Sequence, residues 1–425
     1  MRFPDLESWL AWQETLHPSS IDLGLDRVAA VRDRMGLGEA PFRVALVGGT
    51  NGKGSTAALL ATLLSESGLR TALYTSPHLV RYTERLRIDG AEVSPEAFVE
   101  AFDVVDRCRG GTSLTYFEFG TLAVLEICRR RGLDFAVLEV GLGGRLDAVN
   151  VMEPEVSVVT TVGLDHMDWL GPDRESIGAE KGGIFRPGRP AVIGDRDPPA
   201  SLLKAAGPGA WRIGQDFDAS PEGETWEWRG PGRLLRSLPR GLFRVPALLD
   251  NAASALAAFR ALPEGDGLDA DLAGRAIRNV RVSGRLQRVP GEVTWWLDVA
   301  HNPDAASVLA DAARSEPPRG RTLAVLGMMA DKDVEGVVAP LAGVVDLWFV
   351  AGLPPPRGLP AATLGARLRD RVDSPVEEAA DVPAACARAA EAARPGDRVL
   401  ALGSFQVVGP VLEYLGLYSA APANG

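Results

Sequence analysis

The sequence predicts an α/β protein: a P-loop-type domain built on a mostly parallel sheet, followed by a smaller Rossmann-like α/β domain. Three observations lead there. Short apolar, β-branched runs at 43–47, 71–75, 135–140 and 156–162 each give way to Gly, Ser or Thr, with helical patterns between most of them. That alternation is typical of a parallel sheet wrapped by helices. The first run enters a glycine-rich stretch carrying a lysine and then a helix-forming segment. Strand-like runs resume at 293–299, 322–326, 347–350 and 398–402, enough for a second sheet. The boundary is expected within 281–291, dividing the chain into 1–284 and 285–425.

In chain order, residues 1–40 read as amphipathic helices and a connecting loop before the first strand. The pattern loosens between 207 and 241, where Gly, Pro and Trp211, Trp226 and Trp228 accumulate. Such a stretch suits short antiparallel strands, a small β subregion or flap. An Ala-rich helix is expected over 251–261 with Asn251 at its start, and another over 272–279. The tail 419–425 is expected to be disordered.

Composition narrows the function classes. A chain of 425 residues, 46% apolar and 24% charged, fits two globular domains. The net charge of −11 and the lack of a Lys/Arg block argue against nucleic acid and for a small-molecule partner. No apolar run is long enough to span a bilayer, and Met1-Arg2-Phe3-Pro4-Asp5 opens no signal peptide, so a cytoplasmic protein is expected. Cys108, Cys128 and Cys386 lack metal-ligand spacing and read as core thiols. Of 45 basic residues 41 are Arg, leaving Lys53, Lys181, Lys204 and Lys332. Arg cannot supply a compact ammonium or a deprotonatable amine, so a Lys that persists among glycines or acids is a functional candidate.

Gly48-Gly49-Thr50-Asn51-Gly52-Lys53-Gly54-Ser55-Thr56 has the composition of a phosphate cradle. Glycines let backbone N–H groups face phosphate oxygens, the helix adds its positive end, and Lys53 can bridge phosphates. Strict Walker spacing fails because Gly54 follows Lys53, so Ser55 or Thr56 must supply the metal-facing hydroxyl. The bland alternative is a glycine-rich turn with no ligand. Glu139 closes a strand before a glycine-rich turn, where a carboxylate projects toward the loop and suits Mg²⁺; it could also merely cap the turn. A lone His such as His166 is commonly a core residue, but Asp165 and Asp168 beside it favour a metal or phosphate role. Leu114–Phe117 could wall a flat ligand's site, but on the residues alone the reading of Tyr116 and Phe117 as core is the stronger.

Beyond the loop, further motifs follow in order. They are Thr75-Ser76-Pro77-His78-Leu79-Val80-Arg81-Tyr82-Thr83-Glu84-Arg85, Leu114-Thr115-Tyr116-Phe117-Glu118-Phe119, Glu139-Val140-Gly141-Leu142-Gly143-Gly144-Arg145-Leu146-Asp147, Leu164-Asp165-His166-Met167-Asp168-Trp169-Leu170-Gly171 and Glu180-Lys181-Gly182-Gly183-Ile184-Phe185. The second half adds Gly284-Arg285-Leu286, Asp298-Val299-Ala300-His301-Asn302-Pro303, Met328-Met329-Ala330-Asp331-Lys332-Asp333 and Gly403-Ser404-Phe405. Together they resemble the bacterial dihydrofolate synthase/folylpolyglutamate synthase family, relatives of the Mur ligases. Val149 departs from a frequent Thr of the family, and Gly182 from a frequent Ala.

The resemblance implies ATP-dependent ligation of L-glutamate to dihydropteroate and to reduced folates through an acyl phosphate, with 285–425 as the glutamate-ligase domain. It implies ATP contacts from Gly49 to Ser55 and from Asn251, Arg285 and Asp298, with His301 near the phosphates. Two Mg²⁺ sites follow, from Ser55, Ser76, Glu139, His166 and a carbamylated Lys181 (N6-carboxylysine), with K⁺ possible. Lys53, Glu139, His166 and Lys181 would be catalytic. Segments 20–22, with Asp22, then Leu114, Thr115, Tyr116 and Phe117, then Leu146, Asp147 and Ala148, would hold the acceptor, and Lys332 would serve glutamate. A single chain suffices, so a monomer is expected. A folylpolyglutamate synthase without the dihydropteroate activity remains an alternative. A Mur cell-wall ligase would need a nucleotide-sugar domain before the first strand, where only about 40 residues stand. A GTPase-like switch would need an Asn-Lys-x-Asp motif, which is absent.

Overall fold

A computed structural model of the chain describes residues 1–19 and 21–418; Ser20 and the tail 419–425 lie outside the described residues. The chain forms two compact units, one of Met1–His78 with Tyr82–Arg281, the other of Leu79–Arg81 with Val282–Gly425.

The first unit is built on eight strands: β1 (Arg43–Gly48), β2 (Thr71–Tyr74), β3 (Leu86–Ile88), β4 (Ala91–Glu92), β5 (Phe135–Glu139), β6 (Val156–Val159), β7 (Ala191–Ile193) and β8 (Trp211–Arg212), in the order β4-β3-β2-β5-β1-β6-β7-β8. Every pairing is parallel except those of β3 with β2 and β4. Strands β1 and β5 are almost wholly buried, as expected of Val- and Leu-rich runs covered on both faces. Because β5 and β6 flank β1, the register sets Val47 beside Glu139 and Gly48 beside Val159. The C-terminal ends of all three strands therefore open onto the loop that follows β1, the place where open α/β sheets bind ligands. The N-terminal helices Leu6–Gln13 and Asp26–Arg34 dock through Trp9, Val28 and Val31, all fully buried.

Two sequence expectations need correction here. The run 156–162 is a strand only to Val159. Beyond it the Thr160 and Thr161 hydroxyls both donate to the Asn51 carbonyl, at 2.6 and 3.2 Å, so the chain leaves the ladder to back the glycine-rich loop. Asn251 does not start its helix, which runs Pro246–Arg260. Pro246 lies in the first turn, where a missing N–H costs nothing and φ is already helical, and this moves the start upstream of the Ala-rich run.

Residues 218–239 form an antiparallel sheet of β9 (Asp218–Glu222), β10 (Thr225–Gly230) and β11 (Arg233–Pro239), in the order β11-β10-β9. It is anchored rather than loose: Trp226 and Trp228 are fully buried, and the Trp228 indole N–H donates to the Ala253 carbonyl in the helix Pro246–Arg260.

The second unit carries β12 (Gln287–Val289), β13 (Thr294–Leu297), β14 (Thr322–Leu326), β15 (Leu347–Ala351), β16 (Val376–Ala379) and β17 (Arg398–Leu402), in the order β12-β13-β17-β14-β15-β16. Only β12 is antiparallel. β13 is shorter than the apolar run 293–299, because the Asp298 carboxylate accepts the N–H groups of Leu286 and Ala300, each at 2.8 Å, and ends the ladder. All three cysteines are free thiols, Cys128 and Cys386 buried. Among the described residues no helix is long and apolar enough to cross a membrane.

Candidate nucleotide and acceptor site

The glycine-rich loop is shaped by its neighbours. Gly49 has φ 140°, and a Cβ there would lie 1.9 Å from the Thr160 hydroxyl; Gly52 has φ 86°, and its Cβ would lie 2.2 Å from Asn251 Oδ1. Both positions admit only glycine. The Thr50 N–H donates to the Thr161 carbonyl at 2.7 Å, and the Asn51 N–H to the Thr161 hydroxyl at 3.1 Å. The helix Lys53–Glu66 starts at the lysine with no side-chain cap, so its first N–H groups face the loop. Of the two hydroxyls considered for a metal, Thr56 donates to the Asn251 carbonyl at 3.4 Å, while Ser55 lies buried in the first turn.

Two lysines converge on one carbonyl. Lys53 Nζ donates to Gly49 O and Thr50 O, each at 3.0 Å, and Lys181 Nζ donates to Gly49 O at 3.0 Å. Lys181 is 4% exposed. Burial, with help from the Lys53 charge, lowers its amine to about 7, against an upward pull from Asp165 and Asp147. The neighbouring Glu180 bridges Arg145 at 3.2 Å. The glycine turn after β5 packs on this lysine: a Cβ at Gly144 would lie 2.8 Å from the Lys181 carbonyl.

Glu139, 4% exposed, accepts the Ser76 N–H at 3.2 Å and lies beside Gly54, whose Cβ would come within 3.6 Å of it. A buried carboxylate with serine hydroxyls nearby is the oxygen-rich set a hard divalent cation takes. Among the described residues no three His, Cys, Asp or Glu side chains gather as a metal cluster. A cation here would therefore draw its remaining ligands from phosphate, water, hydroxyls or a modified lysine.

A cavity of about 270 Å³ adjoins this corner. Asp22, Ser76, Arg85, Thr115, Tyr116, Phe117, Leu146, Asp147, Ala148 and His166 are among the residues that line it. Leu114, expected in the same wall, is not; it is fully buried in the core. Thr115 caps the helix Tyr116–Arg131 in a capping box with Glu118. Phe117 stacks on Tyr74 with ring centres 6.0 Å apart. Asp147 is fully enclosed, and burial raises its carboxyl to about 6, while the N–H groups of Leu142, Val149 and Gly141 pull it down. Arg27 bridges Asp22, at 2.5 Å, and Glu118, at 2.8 Å. His166 adopts φ 53° and stands 3.9 Å from Asp165.

In the second unit, Asp298 is buried and its carboxyl raised by that burial, with the Arg285 charge opposing. His301 Nδ1 lies 2.8 Å from the Val299 carbonyl, and the Arg285 guanidinium lies 5.6 Å from the Phe405 ring centre. Lys332 occupies a separate turn, its N–H donating to Met329 O at 3.2 Å. Sequence reasoning missed Thr160, Thr161, Arg27 and Arg85. The first pair was detectable as adjacent hydroxyls ending an apolar strand; Arg85 stood in the motif 75–85 without a role of its own, and Arg27 carries no local signal.

A glycine-rich loop on an α/β sheet, a carboxylate at the neighbouring strand end and a second α/β unit go with the architecture of Mur-type ligases, and the family models place the chain in that class. Residues 47–222 match the Mur ligase middle domain and residues 284–405 the Mur ligase glutamate ligase domain. The dihydrofolate synthase/folylpolyglutamate synthase of Escherichia coli (strain K12) is 44% identical over 416 residues, covering 96% of this chain and 95% of that protein. The Haemophilus influenzae enzyme of the same name is 37% identical over 426 residues, covering 95% and 96%. Among solved structures, E. coli FolC in complex with DHPP and ADP matches with a TM-score of 0.92 and 42% identity, over 97% of this chain and 98% of that one. The bifunctional Yersinia pestis enzyme complexed with AMPPNP and Mn ion matches with a TM-score of 0.89 and 41% identity, over the same shares. The chain belongs to the dihydrofolate synthase/folylpolyglutamate synthase family and is an ATP-dependent ligase that joins glutamate to folates.

Proposed function

We propose that this chain makes dihydrofolate from dihydropteroate and L-glutamate and also extends reduced folates, in both cases through an acyl phosphate. The carrying observation is the adjacency of the phosphate loop, Glu139 and a cavity walled by Phe117, Tyr116 and Asp147. An acceptor carboxylate oxygen attacks the γ-phosphorus of ATP, ADP leaves, and the unprotonated glutamate amine then displaces phosphate from the acyl carbon. Residues 49–55 hold the phosphates, with Lys53 matching the charge that develops on them. Asn251, Arg285, Asp298 and His301 contact the nucleotide, and Lys332 serves glutamate. Asp22, Thr115, Tyr116, Phe117, Leu146, Asp147 and Ala148 hold the acceptor; Leu114 supports that wall from the core.

Two Mg²⁺ sites complete the reading, one from Ser55, Ser76 and Glu139, the other from Glu139, His166 and Lys181 as a carbamate, with K⁺ as a further cation. Mg²⁺ supplies charge neutralisation at the phosphates. The neutral Lys181 amine adds to CO₂, forming an N–C bond and releasing a proton, and the product bears the oxygen ligands that an ammonium lacks. The depressed Lys181 amine and its enclosure support this. We place the enzyme in the cytoplasm as a monomer, with 1–284 as the ATP-binding domain and 285–425 as the glutamate-ligase domain. The test is phosphate release from ATP with each acceptor in turn. Release that needs both dihydropteroate and glutamate is expected, and extension of tetrahydrofolate without any use of dihydropteroate would limit the protein to polyglutamylation.

A further inference from the structure

Among the described residues, Arg85 is the single Arg or Lys side chain lining the acceptor cavity. It is 8% exposed. Its Nε donates to His78 Nδ1 at 2.9 Å, and its guanidinium carbon lies 5.1 Å from the Tyr82 ring centre and 5.5 Å from that of Tyr116. None of these is an anion. Burial raises all three phenols around it, Tyr74, Tyr82 and Tyr116, the last to about 12, so they stay protonated. Nor do the cavity's acids pair with it. Asp22 and Glu118 are bridged by Arg27, and Asp147 accepts the N–H groups of Leu142 and Val149. A guanidinium enclosed without a counter-charge is unfavourable unless an anion arrives to match it.

The anion's place in the reaction follows from the backbone. The Arg85 carbonyl accepts the Thr75 N–H at 2.9 Å, and the next residue, Ser76, donates its N–H to Glu139 beside the phosphate loop. The Arg85 backbone is thus tied to the strand end that meets Glu139 beside the glycine-rich loop. Asp147 stands in the same cavity as a carboxylate able to accept N–H groups of a heterocycle. One cationic pole and one acceptor pole suit a bipolar ligand, amino-heterocycle at one end and carboxylate at the other.

We propose that Arg85 binds the carboxylate of the acceptor and presents it to the phosphate loop for phosphorylation. The proposal rests on the acceptor reading above and names the residue that discriminates charged from uncharged acceptors. A carboxylate meets the guanidinium fork with two N–H donors, a geometry lysine does not reproduce.

Binding of dihydropteroate and of its carboxamide, which lacks only the charge, is measured by calorimetry on the full chain and on its Arg85→Gln and Arg85→Lys variants. The unaltered protein is expected to prefer the carboxylate by about 100-fold, the scale of a desolvated charge pair. Arg85→Gln should lose that preference and change carboxamide affinity less than about threefold, while Arg85→Lys keeps part of it and the KM for ATP stays unchanged. Equal affinity of the unaltered protein for both ligands overturns the proposal, whether or not the glutamine variant folds. So does an undiminished preference in a folded Arg85→Gln. A protein that binds neither ligand and releases no phosphate with dihydropteroate and glutamate removes the acceptor reading itself, and the proposal with it.

Discussion

Residues 49–52 are held by the backbone and hydroxyls of the adjacent 160–163 segment and by the two lysines on their carbonyls, whereas the cavity beside them is closed by side chains from stretches between Ile21 and His166. The loop is defined by close backbone approach at glycines, so its tolerance for side chains at Gly49 and Gly52 is near zero. The cavity keeps buried charge, Asp147 and Arg85, at some expense to stability. The difference separates a loop set by backbone fit, which we propose serves the nucleotide, from a cavity set by side chains, which we propose serves the acceptor.

The sharpest way to break that contrast is at Lys53. Replacing it with Ala should lower kcat/KM by about 1,000-fold while leaving the thermal midpoint nearly unchanged; near-normal turnover would detach the loop from the chemistry. Gly49→Ala forces a side chain onto Thr160 at a positive φ and should destabilise the protein by about 3 kcal/mol in denaturant titration. An unchanged midpoint there would mean that the loop is less constrained than its contacts imply.

Lys181 tests both regions at once. Its folded amine sits near 7, below the ordinary 10.5, so between those values the unfolded chain holds the extra proton and stability rises with pH; below about 7 the buried ammonium is charged and the full penalty applies. Lys181→Met should therefore gain stability relative to the unaltered protein mainly at acidic pH, a trend read from thermal midpoints across pH 5–9. Its activity should fall, and Lys181→Ala should be partly restored by short carboxylic acids. CO₂ depletion should slow the unaltered enzyme and spare Lys181→Met.

On the cavity side, Phe117→Ala should raise the acceptor KM about 10-fold through lost aromatic contact and leave the ATP KM alone. The smallest effect is expected at Thr160→Val, which removes the 2.6 Å bond to Asn51 O and should cost about 1 kcal/mol with a few-fold rise in the ATP KM.

The same contrast governs what was legible in the sequence. The loop, Glu139 and the strands around them are local patterns: glycine spacing, a carboxylate ending an apolar run, periodicity. The cavity's charge arrangement was not legible, because Arg27 reaches Glu118 across 91 positions and the isolation of Arg85 depends on three tyrosines and a histidine meeting around it. Two local cues were passed over. Thr115 and Glu118 spell a helix N-terminal capping box, and Val245-Pro246 marks a helix start. Leu114 entered the expected wall with the whole segment 114–117 through the resemblance, and membership of a segment does not say which of its side chains faces the cavity.

The antiparallel sheet β9–β11 contributes no residue to either region, yet removing it would not be a harmless economy. Trp228 holds the Ala253 carbonyl of a helix whose Asn251, half a turn earlier, abuts Gly52 and takes the Thr56 hydroxyl. Gly230 leaves the room this indole needs, since a Cβ there would sit 2.1 Å from it. An engineer shortening the protein could trim the 223–224 turn freely, but excising the whole hairpin would slacken the brace behind the phosphate loop, and the first symptom would be weaker nucleotide affinity in a chain whose ligand contacts are all intact.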